Sequence, residues 1–341
     1  MPYTPASTPS EMVPAIAPPR DGKMKAIVQD RYGSPDFLTL REIPKPLVAD
    51  DRVLVRVRAG SVNAADWHLM QRLPHIIGMF LGLPRSRVRG SDMAGYVEAV
   101  GKNVTRFKPG DEVFGAGIGS FAEYATAFED RLALKPRNLT FPQAAAIPVA
   151  GCTALQGLRD KAQLKSGESV LIYGAGGGVG TFAVQIAKSL EAQVIAVSST
   201  GNVDLLHSVG ANEVIDYTSE DFTTRGQRYD VLFDIGANRS FADCRRALAP
   251  GGRLVLVGAP SGLWAVLSRL LKARLMSGAG NKPISFLARV RCEDLVVLKE
   301  LAEAGKLSPV IDRQYPLSEV PDAVRYLGTR HARGKVVISI T

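Results

Sequence analysis

The sequence predicts an α/β protein of two domains, one made of short β-strands and one built on a parallel sheet covered by helices. The chain has 341 residues, of which 46% are hydrophobic, and that length exceeds what one core of roughly 150 residues holds. Its first part shows short alternating strands separated by glycine and proline turns. Its second part alternates apolar strands with helical segments, which is typical of a parallel sheet with right-handed crossovers.

The composition excludes several other classes of protein. The 42 lysines and arginines against 33 aspartates and glutamates give a formal charge of +9, which permits an anionic ligand without demonstrating one. The three cysteines, Cys152, Cys244 and Cys292, are too few and too scattered for a disulfide framework or a four-thiolate zinc lobe. No apolar run approaches the roughly 18 residues that a membrane span needs.

Residues 1–22 predict a disordered leader, because they hold six prolines and show no periodicity. No basic start precedes an apolar stretch, and arginine is scarce, so neither a secretory signal nor a mitochondrial transit peptide is expected. On these grounds a cytoplasmic location is expected.

The β-domain is predicted from a series of short runs. Residues 51–58 alternate between charged and apolar side chains, the period of two that marks a half-buried strand. The tail returns to this pattern at residues 334–340, so the domain is expected to be discontinuous, with residues 23–142 and 287–341. The remaining predicted strands are 25–29, 37–41, 95–100, 111–114, 120–125 and 132–134.

The second domain is predicted to span residues 143–286. It begins with a helix from Ala144 to Arg159 and continues as alternating strands and helices. Its strands have no polar alternation, which indicates burial on both faces of a sheet. The predicted strands are 169–173, 193–197, 213–216, 230–234 and 253–257, and the intervening helices end near Leu190 and cover 202–209 and 239–248.

The strongest motif is the glycine-rich turn of residues 174–180, which follows strand 169–173 and opens a helix. Glycines let the backbone approach a pyrophosphate, and a helix N-terminus presents free N–H groups to it. The spacing of Gly174, Gly177 and Gly180 departs from the usual G-x-G-x-x-G. The order strand, turn, helix nevertheless predicts a dinucleotide site, the alternative being glycines that only permit a tight turn.

The residues after the next strand predict NADPH rather than NADH. An NAD site usually has an acidic residue about 20 positions beyond the glycines to hold the ribose hydroxyls. Here residues 197–202 hold hydroxyls instead, and Ser199 and Thr200 can donate hydrogen bonds to a 2′-phosphate. The alternative is that these hydroxyls only cap the helix that starts near Asn202.

Several motifs in order resemble the zinc-independent, quinone-oxidoreductase-like branch of the medium-chain dehydrogenase/reductase superfamily, most of all its reticulon-interacting-oxidoreductase-like members. The resemblance covers residues 24–341. It implies a GroES-like β-barrel catalytic domain plus a Rossmann doubly wound parallel-sheet domain, with the active site in the cleft between them, and a homodimer through strand pairing near residues 283–288. Its motifs are residues 61–67, 90–92, 106–114, 121–124 and 147–154, the glycine-rich turn, and residues 331–337.

The resemblance also implies which residues bind NADPH. Tyr217 could instead be a strand-end aromatic residue, and His331 and Arg333 could belong to a solvated loop. The implied contacts are Gly174, Gly176, Gly177, Gly178, Val179 and Gly180 at the pyrophosphate, Ser199, Thr200 and Tyr217 at the 2′-phosphate, Thr153, Val257 and Gly258 near the nicotinamide, and His331, Ala332 and Arg333 as a C-terminal clamp.

No metal site is expected. By the resemblance, the first two zinc positions fall on Asn63 and Ser91, which are not usual zinc ligands, and only Cys152 stands near the third. A catalytic zinc needs three protein ligands. His68 and Asp92 would have to be recruited to supply them.

Without zinc, the expected reaction is hydride transfer to quinones or α,β-unsaturated carbonyls, which needs only hydrogen-bond donors at the developing oxyanion. Asn63 is the first candidate donor and Ser91 the second. Asp92 is expected at the substrate pocket as a structural or orienting carboxylate rather than an acid, and Trp67 is expected to wall that pocket or to pack in the core. Three alternatives remain: an enoyl-thioester reductase, a non-catalytic NADPH-binding sensor or scaffold, and a zinc alcohol dehydrogenase with unusual ligands.

Two further segments carry basic residues. Residues 263–276 form an amphipathic pattern that fits a helix docked on the protein, a pocket lid, a dimer contact or weak membrane-surface association. Arg85, Arg87 and Arg89 cluster without the interleaved aromatic residues that single-stranded nucleic acid requires. We therefore expect a small-molecule substrate and no nucleic acid.

Overall fold

The computed structural model describes residues 22–70, 87–236, 239–257 and 283–341. The predictions made for residues 1–21 of the leader, for Arg85, for Gly258 and for the stretch 263–276 lie outside the described residues, as does the side chain of His68. In the part that is described, no helix is both long and apolar enough to cross a membrane.

Fifteen strands and eight α-helices make up the described chain. The strands are β1 Lys23–Gln29, β2 Leu38–Pro44, β3 Arg52–Val62, β4 Asp92–Val100, β5 Glu112–Ala116, β6 Tyr124–Phe128, β7 Leu132–Leu134, β8 Ser169–Tyr173, β9 Gln193–Ser198, β10 Glu213–Asp216, β11 Tyr229–Asp234, β12 Leu248–Leu256, β13 Ile284–Ser285, β14 Ile311–Pro316 and β15 Lys335–Ser339. The helices are α1 Ala64–Met70, α2 Phe141–Ala145, α3 Pro148–Leu155, α4 Gly178–Ser189, α5 Val203–Ser208, α6 Phe241–Arg246, α7 Cys292–Glu303 and α8 Val320–Gly328.

The first sheet is mixed, with strand order β14-β15-β3-β4-β5-β7, and β6 also pairs with β3. Strand β3 shows why the sequence forms it: Val53, Val55 and Val57 are at most 2% exposed, while Arg52, Arg56 and Arg58 on the same strand are half-buried. Side chains on a strand point alternately to opposite faces, so the predicted alternation at residues 51–58 places the valines in the core of this domain. Strands β1 and β2 form a separate antiparallel pair.

The end of the chain lies in this first sheet. Strand β15 pairs antiparallel with β3, and β14 pairs parallel with β15. Helix α7, in contrast, packs on α3 and buries Leu295 and Leu298 in the same core as the second sheet. The boundaries near residues 142 and 287 stay a prediction.

The second sheet has six parallel strands in the order β10-β9-β8-β11-β12-β13. The chain runs from β8 to one edge and then returns to build the other half from β11, which is the doubly wound arrangement. Ligands of such sheets bind outside the carboxyl ends of the strands at the point where the order reverses. That point is the end of β8, where the glycine-rich turn begins.

The structure corrects some element boundaries. The single helix expected from Ala144 to Arg159 is divided: α2 ends at Ala145, α3 starts at Pro148, and residues 156–161 form a π-helical turn. Proline has no N–H to donate and fits the first helical position, so it starts a new helix. The strand expected at 120–125 is displaced to Tyr124–Phe128.

Candidate active site

Three glycines of the glycine-rich turn are closely approached by other atoms of the protein. Gly174 has φ +85°, a conformation that favours glycine. A Cβ on Gly176 would lie 2.6 Å from Asn202 Nδ2, and one on Gly180 would lie 2.4 Å from the Ala175 carbonyl oxygen. These contacts hold the turn against strand β9 and the start of α4, so glycine is required there for packing as well as for ligand approach.

The N-terminus of helix α4 is open to an anion. Its N-cap, Gly177, has an extended backbone and gives the helix no side-chain cap. The first N–H groups of a helix have no partner within the helix and attract phosphate. Val179 lies in this first turn and packs against the core. The turn and the helix N-terminus therefore fit a dinucleotide pyrophosphate.

A segment from the end of the chain closes over this turn. The Gly334 N–H donates to the Gly176 carbonyl oxygen at 2.9 Å, and Gly177 and Gly334 form a parallel bridge. A Cβ on Gly178 would lie 2.8 Å from Lys335 Cδ. The first sheet thus contacts the glycine-rich turn of the second.

The residues expected at the 2′-phosphate lie together beyond β9. Asn202 Nδ2 donates to Ser198 Oγ at 2.9 Å and to Ser199 Oγ at 3.3 Å. Tyr217 follows β10 and is 48% exposed. The sequence did not predict the carboxylate found here: Thr200 Oγ1 donates to Asp216 Oδ2 at 2.5 Å, so the hydroxyl proton of Thr200 is already engaged.

The C-terminal clamp residues differ from one another in their surroundings. Arg333 is exposed, and its guanidinium Nη2 would lie 2.7 Å from a Cβ on Gly201, which follows Ser199 and Thr200. Ala332 packs against the first-domain core, and the exposed His331 donates its backbone N–H to Thr329 Oγ1. Of the three, Arg333 is the one brought beside the loop that follows β9.

Two residues expected near the nicotinamide are buried. Thr153 is 9% exposed and donates its hydroxyl to the Val149 carbonyl oxygen within α3. Val257 follows β12, and its N–H donates to the Asp234 carbonyl oxygen. Thr153 lies within α3, whereas Val257 lies directly after the carboxyl end of β12.

Asn63, the first candidate donor, is fixed in a buried polar network. Its Nδ2 donates to Asp92 Oδ2 at 2.8 Å, and its Oδ1 accepts from Lys335 Nζ at 2.6 Å. Asp92 is fully buried and also accepts from Ser61 Oγ and from the Val149 N–H of α3. The orienting function expected for Asp92 agrees with these four-way contacts, and one Nδ2 hydrogen of Asn63 remains unengaged by any described residue.

Lys335 is the site residue that the sequence analysis missed. It is 3% exposed, and its Nζ lies 3.6 Å from Asp92 Oδ2. Burial lowers the pKa of Lys335 and raises the pKa of Asp92, because loss of water disfavours both charged forms. A signal did exist: Lys335 is a charged residue at the start of an otherwise apolar strand.

Asp66 lies in the first turn of α1 beside this network. Its Oδ2 accepts the Asn63 backbone N–H at 2.8 Å, which caps the helix start. Burial, with a smaller contribution from the neighbouring Asp92 charge, raises the pKa of Asp66 to about 7. The cluster therefore contains a carboxyl that changes its charge near neutral pH.

Ser91 and Trp67 are less directly placed. Ser91 is half-buried just before β4, and its carbonyl oxygen accepts the Gly117 N–H. The ring of Trp67 would meet a Cβ on Gly328 of α8 at 2.9 Å and packs against the first-domain core. Core packing thus accounts for Trp67, and its pocket function stays a prediction.

The positions discussed for zinc do not assemble a ligand set. Both polar atoms of the Asn63 amide are engaged, and burial raises the pKa of the Cys152 thiol, which is 0% exposed. Within the described ranges, no group of three or more histidine, cysteine, aspartate or glutamate side chains is placed to hold a metal.

Comparisons with known proteins identify relatives of both domains. Residues 49–137 match the model of the alcohol dehydrogenase GroES-like domain, and residues 209–338 match a zinc-binding dehydrogenase model. The chain is 38% identical over 332 residues to 2-methylene-furan-3-one reductase of Solanum lycopersicum, covering 93% of this chain and 79% of that protein. It is 35% identical to the chloroplastic NADPH-dependent alkenal/one oxidoreductase of Arabidopsis thaliana, with the same coverage. The structure of the quinone oxidoreductase from Coxiella burnetii matches with a TM-score of 0.82 and 31% identity, over 94% of this chain and 100% of that one.

Proposed function

The chain belongs to the quinone-oxidoreductase-like, zinc-independent branch of the medium-chain dehydrogenase/reductases, and from this we propose that it is an NADPH-dependent reductase of α,β-unsaturated carbonyls and quinones. Relatives named for enone and quinone reduction support the proposal. The observation that carries it is the Asn63 amide, which has a second N–H that no described residue accepts and is linked through Lys335 to the glycine-rich turn.

The chain's own residues supply charge stabilisation and position. Bound NADPH would supply the hydride. Asn63 donates its unengaged N–H to the substrate oxygen as negative charge develops there, an interaction that is stronger in the transition state than before it. Asp92 holds the amide from one side and is itself held by Ser61 and by the N-terminus of α3. Water supplies the proton that completes the reduction, so no dedicated acid is required.

We propose NADPH over NADH as the cofactor. Arg333 supports this choice, because its guanidinium lies beside Gly201 and makes no ion pair with a carboxylate in the described part of the chain. Arginine is suited to bidentate phosphate binding. Ser199 offers a further hydroxyl. The negative charge of Asp216 would repel a 2′-phosphate, so the preference for NADPH over NADH depends on the balance between Arg333 and Asp216.

The proposed function is tested by following NADPH oxidation with a panel of quinones, enones and enoyl thioesters, with and without a chelator. We expect chelator-resistant turnover of enones or quinones. Turnover of enoyl thioesters alone would favour the thioester reductase. NADPH binding without any turnover would favour a sensor or scaffold, and loss of activity with the chelator would favour a zinc alcohol dehydrogenase.

We also propose a homodimer formed through the edge of the second sheet. Strand β13 is the last strand of that sheet, and Leu287 just beyond it is 77% exposed. Edge strands are templates for pairing with another chain. Light scattering should show that Leu287→Asp dissociates the dimer while Leu47→Asp, at an equally apolar exposed position, leaves it intact; a monomeric unmodified protein would refute the dimer. The cytoplasmic location stays a prediction.

A further inference from the structure

The ammonium group of Lys335 is buried, and a gain in the stability of the fold does not explain its burial. It donates to Asn63 Oδ1 at 2.6 Å and to the Val62 carbonyl oxygen at 3.3 Å, and it lies 3.6 Å from Asp92 Oδ2. Removing an ion pair from water costs roughly several kcal/mol of desolvation free energy per ion. A protein with well-packed apolar side chains in place of the pair is often as stable. A buried lysine of this kind therefore points to a functional contribution.

Lys335 and Asp92 together allow Asn63 only one amide orientation. An asparagine amide has an acceptor oxygen and a donor nitrogen. Here the oxygen faces a cation and the nitrogen faces a carboxylate. Rotating the amide by half a turn would place its N–H groups against the ammonium and its oxygen against the carboxylate, and both contacts would be repulsive. The second N–H of Asn63 is thereby held in a fixed direction.

The aliphatic stem of Lys335 contacts the glycine-rich turn. Its Cδ lies 2.8 Å from the point that a Cβ on Gly178 would take, and the preceding residue, Gly334, donates its N–H to Gly176. One side chain thus spans from the phosphate-binding turn to the amide donor. The distance between these two groups decides how a hydride donor and an acceptor carbon meet, and small misplacements are costly in rate.

We propose that Lys335 is a positioning residue for the reduction, which fixes both the orientation of the Asn63 amide and its distance from the glycine-rich turn. This inference rests on the proposed function. Lys335 acts through Asn63 and does not itself touch the substrate.

The first test is Lys335→Met, which keeps most of the aliphatic stem against Gly178 and removes the ammonium. We expect kcat to fall by about 10-fold to 100-fold, with the Kd for NADPH changed by less than about 3-fold. The matched control is Lys135→Met. Lys135 has a side chain that is 7% exposed, bonds the carbonyl oxygens of Pro136 and Leu139 and pairs with Glu112. The Lys135→Met variant should be less stable than the unmodified protein but should keep its kcat.

A double-mutant cycle with Asn63→Ala separates positioning from general damage. If Lys335 acts through Asn63, the double variant should be no slower than Asn63→Ala alone, because neighbouring groups in one network are non-additive. Losses of kcat that multiply in the double variant, or an unchanged kcat in Lys335→Met, would overturn the proposal. Should Lys335→Met not fold, Lys335→Arg keeps the positive charge beside Asp92, displaces the donor and enters the same cycle.

A crystal structure of the Lys335 variant gives a readout that does not depend on turnover. We expect the Asn63 amide to be rotated or displaced relative to Gly178. An unmoved Asn63 would refute the inference whether or not the unmodified protein reduces enones. Absence of turnover in the unmodified protein would instead refute the proposed function, so the two failures are distinguishable.

Discussion

The guanidinium group of Arg333 lies over Gly201, with Nη2 2.7 Å from the position that a Cβ on this glycine would occupy. The backbone N–H of Arg333 donates to Asp312 Oδ2 at 3.0 Å, which anchors the residue while its guanidinium stays exposed. The segment before β15 of the first sheet thus brings a cation to the loop that follows β9 in the second.

Replacing Arg333 by glutamine should reduce the preference for NADPH. Loss of a charge-assisted phosphate contact worth about 2 kcal/mol should raise the KM for NADPH by roughly 30-fold and leave the KM for NADH nearly unchanged. Steady-state kinetics with both cofactors measures this. Arg228→Gln is the control, because that exposed arginine precedes β11 and so lies at the amino ends of the parallel strands, whereas the glycine-rich turn follows their carboxyl ends. An equal rise for both cofactors would contradict a 2′-phosphate contact.

Replacing Asp216 by asparagine should strengthen the preference for NADPH. Hydrogen bonds from Thr200 and Thr218 hold the pKa of Asp216 below its ordinary value, so it is charged at neutral pH. Removing that charge near the 2′-phosphate should lower the KM for NADPH by about 3-fold to 10-fold and release the Thr200 hydroxyl. The same kinetics, repeated at high salt, should show the difference shrinking. Ser199→Asp should have the opposite effect, and an unchanged NADPH affinity in that variant would refute the specificity argument.

Gly177→Ala should separate folding from cofactor binding. A Cβ at this position meets nothing nearer than the Gly174 carbonyl oxygen at 3.8 Å, and the backbone is already extended. The free protein should therefore keep its melting temperature, whereas a methyl group at the helix N-cap should weaken NADPH binding by about 10-fold or more. Calorimetric titration measures the affinity. Undiminished binding would mean that the phosphates do not approach this glycine.

Asn63→Ala should lower kcat by about 100-fold, the usual loss of an oxyanion donor, with a much smaller change in the Kd for NADPH. Ser91→Ala should have a weaker effect, since no bond of its hydroxyl joins it to the Asn63 network. Stopped-flow hydride transfer and fluorescence titration separate the two quantities. Equal losses of turnover and of cofactor affinity would make Asn63 a cofactor-positioning residue instead.

Asp66 should make the stability of the fold depend on pH. Its pKa rises from 3.8 to about 7 on folding, so the folded state binds the proton more tightly than the unfolded state. The stability contributed by the protonated carboxyl is complete below pH 3.8 and is lost as the pH rises through about 7. The side chain of Asp66→Asn stays neutral at every pH. The free energy of unfolding of this variant, relative to that of the unmodified protein, should therefore be about 2 kcal/mol higher at about pH 8 than at about pH 5. Urea unfolding at both pH values measures this, with the exposed Asp51→Asn as a control; a gain at acidic pH would contradict the assignment.

The sequence predicted those features that local patterns determine. The glycine-rich turn between β8 and α4 has its motif within a few residues, and the valines of β3 follow a period of two. Contacts between distant segments carry no such pattern. Lys335 and Asn63 are 272 residues apart in the chain, and no spacing rule relates them.

Two other differences have definite physical reasons. The carboxylate of Asp216 reaches Thr200 because β9 and β10 are neighbours in the sheet, with Asp216 beside Ser198. Asp216 lies at the end of β10, so the segment directly after β9 gives no sign of this carboxylate. The helix expected across residues 144–159 is interrupted because Pro148 starts α3. In the first instance strand pairing brings together residues that are distant in the sequence, and in the second a proline interrupts an otherwise helical pattern.

The hydrogen bond between Gly334 and Gly176 also limits when the glycine-rich turn can be completed during synthesis of the chain. The six strands of the second sheet are all synthesised before β15, yet the glycine-rich turn can gain its Gly334 and Lys335 contacts only after that last strand has left the exit tunnel. A nascent chain stalled before β15 would therefore lack both contacts at the turn. Asn63, which directly follows β3, can likewise be bonded by Lys335 only at that late point of synthesis.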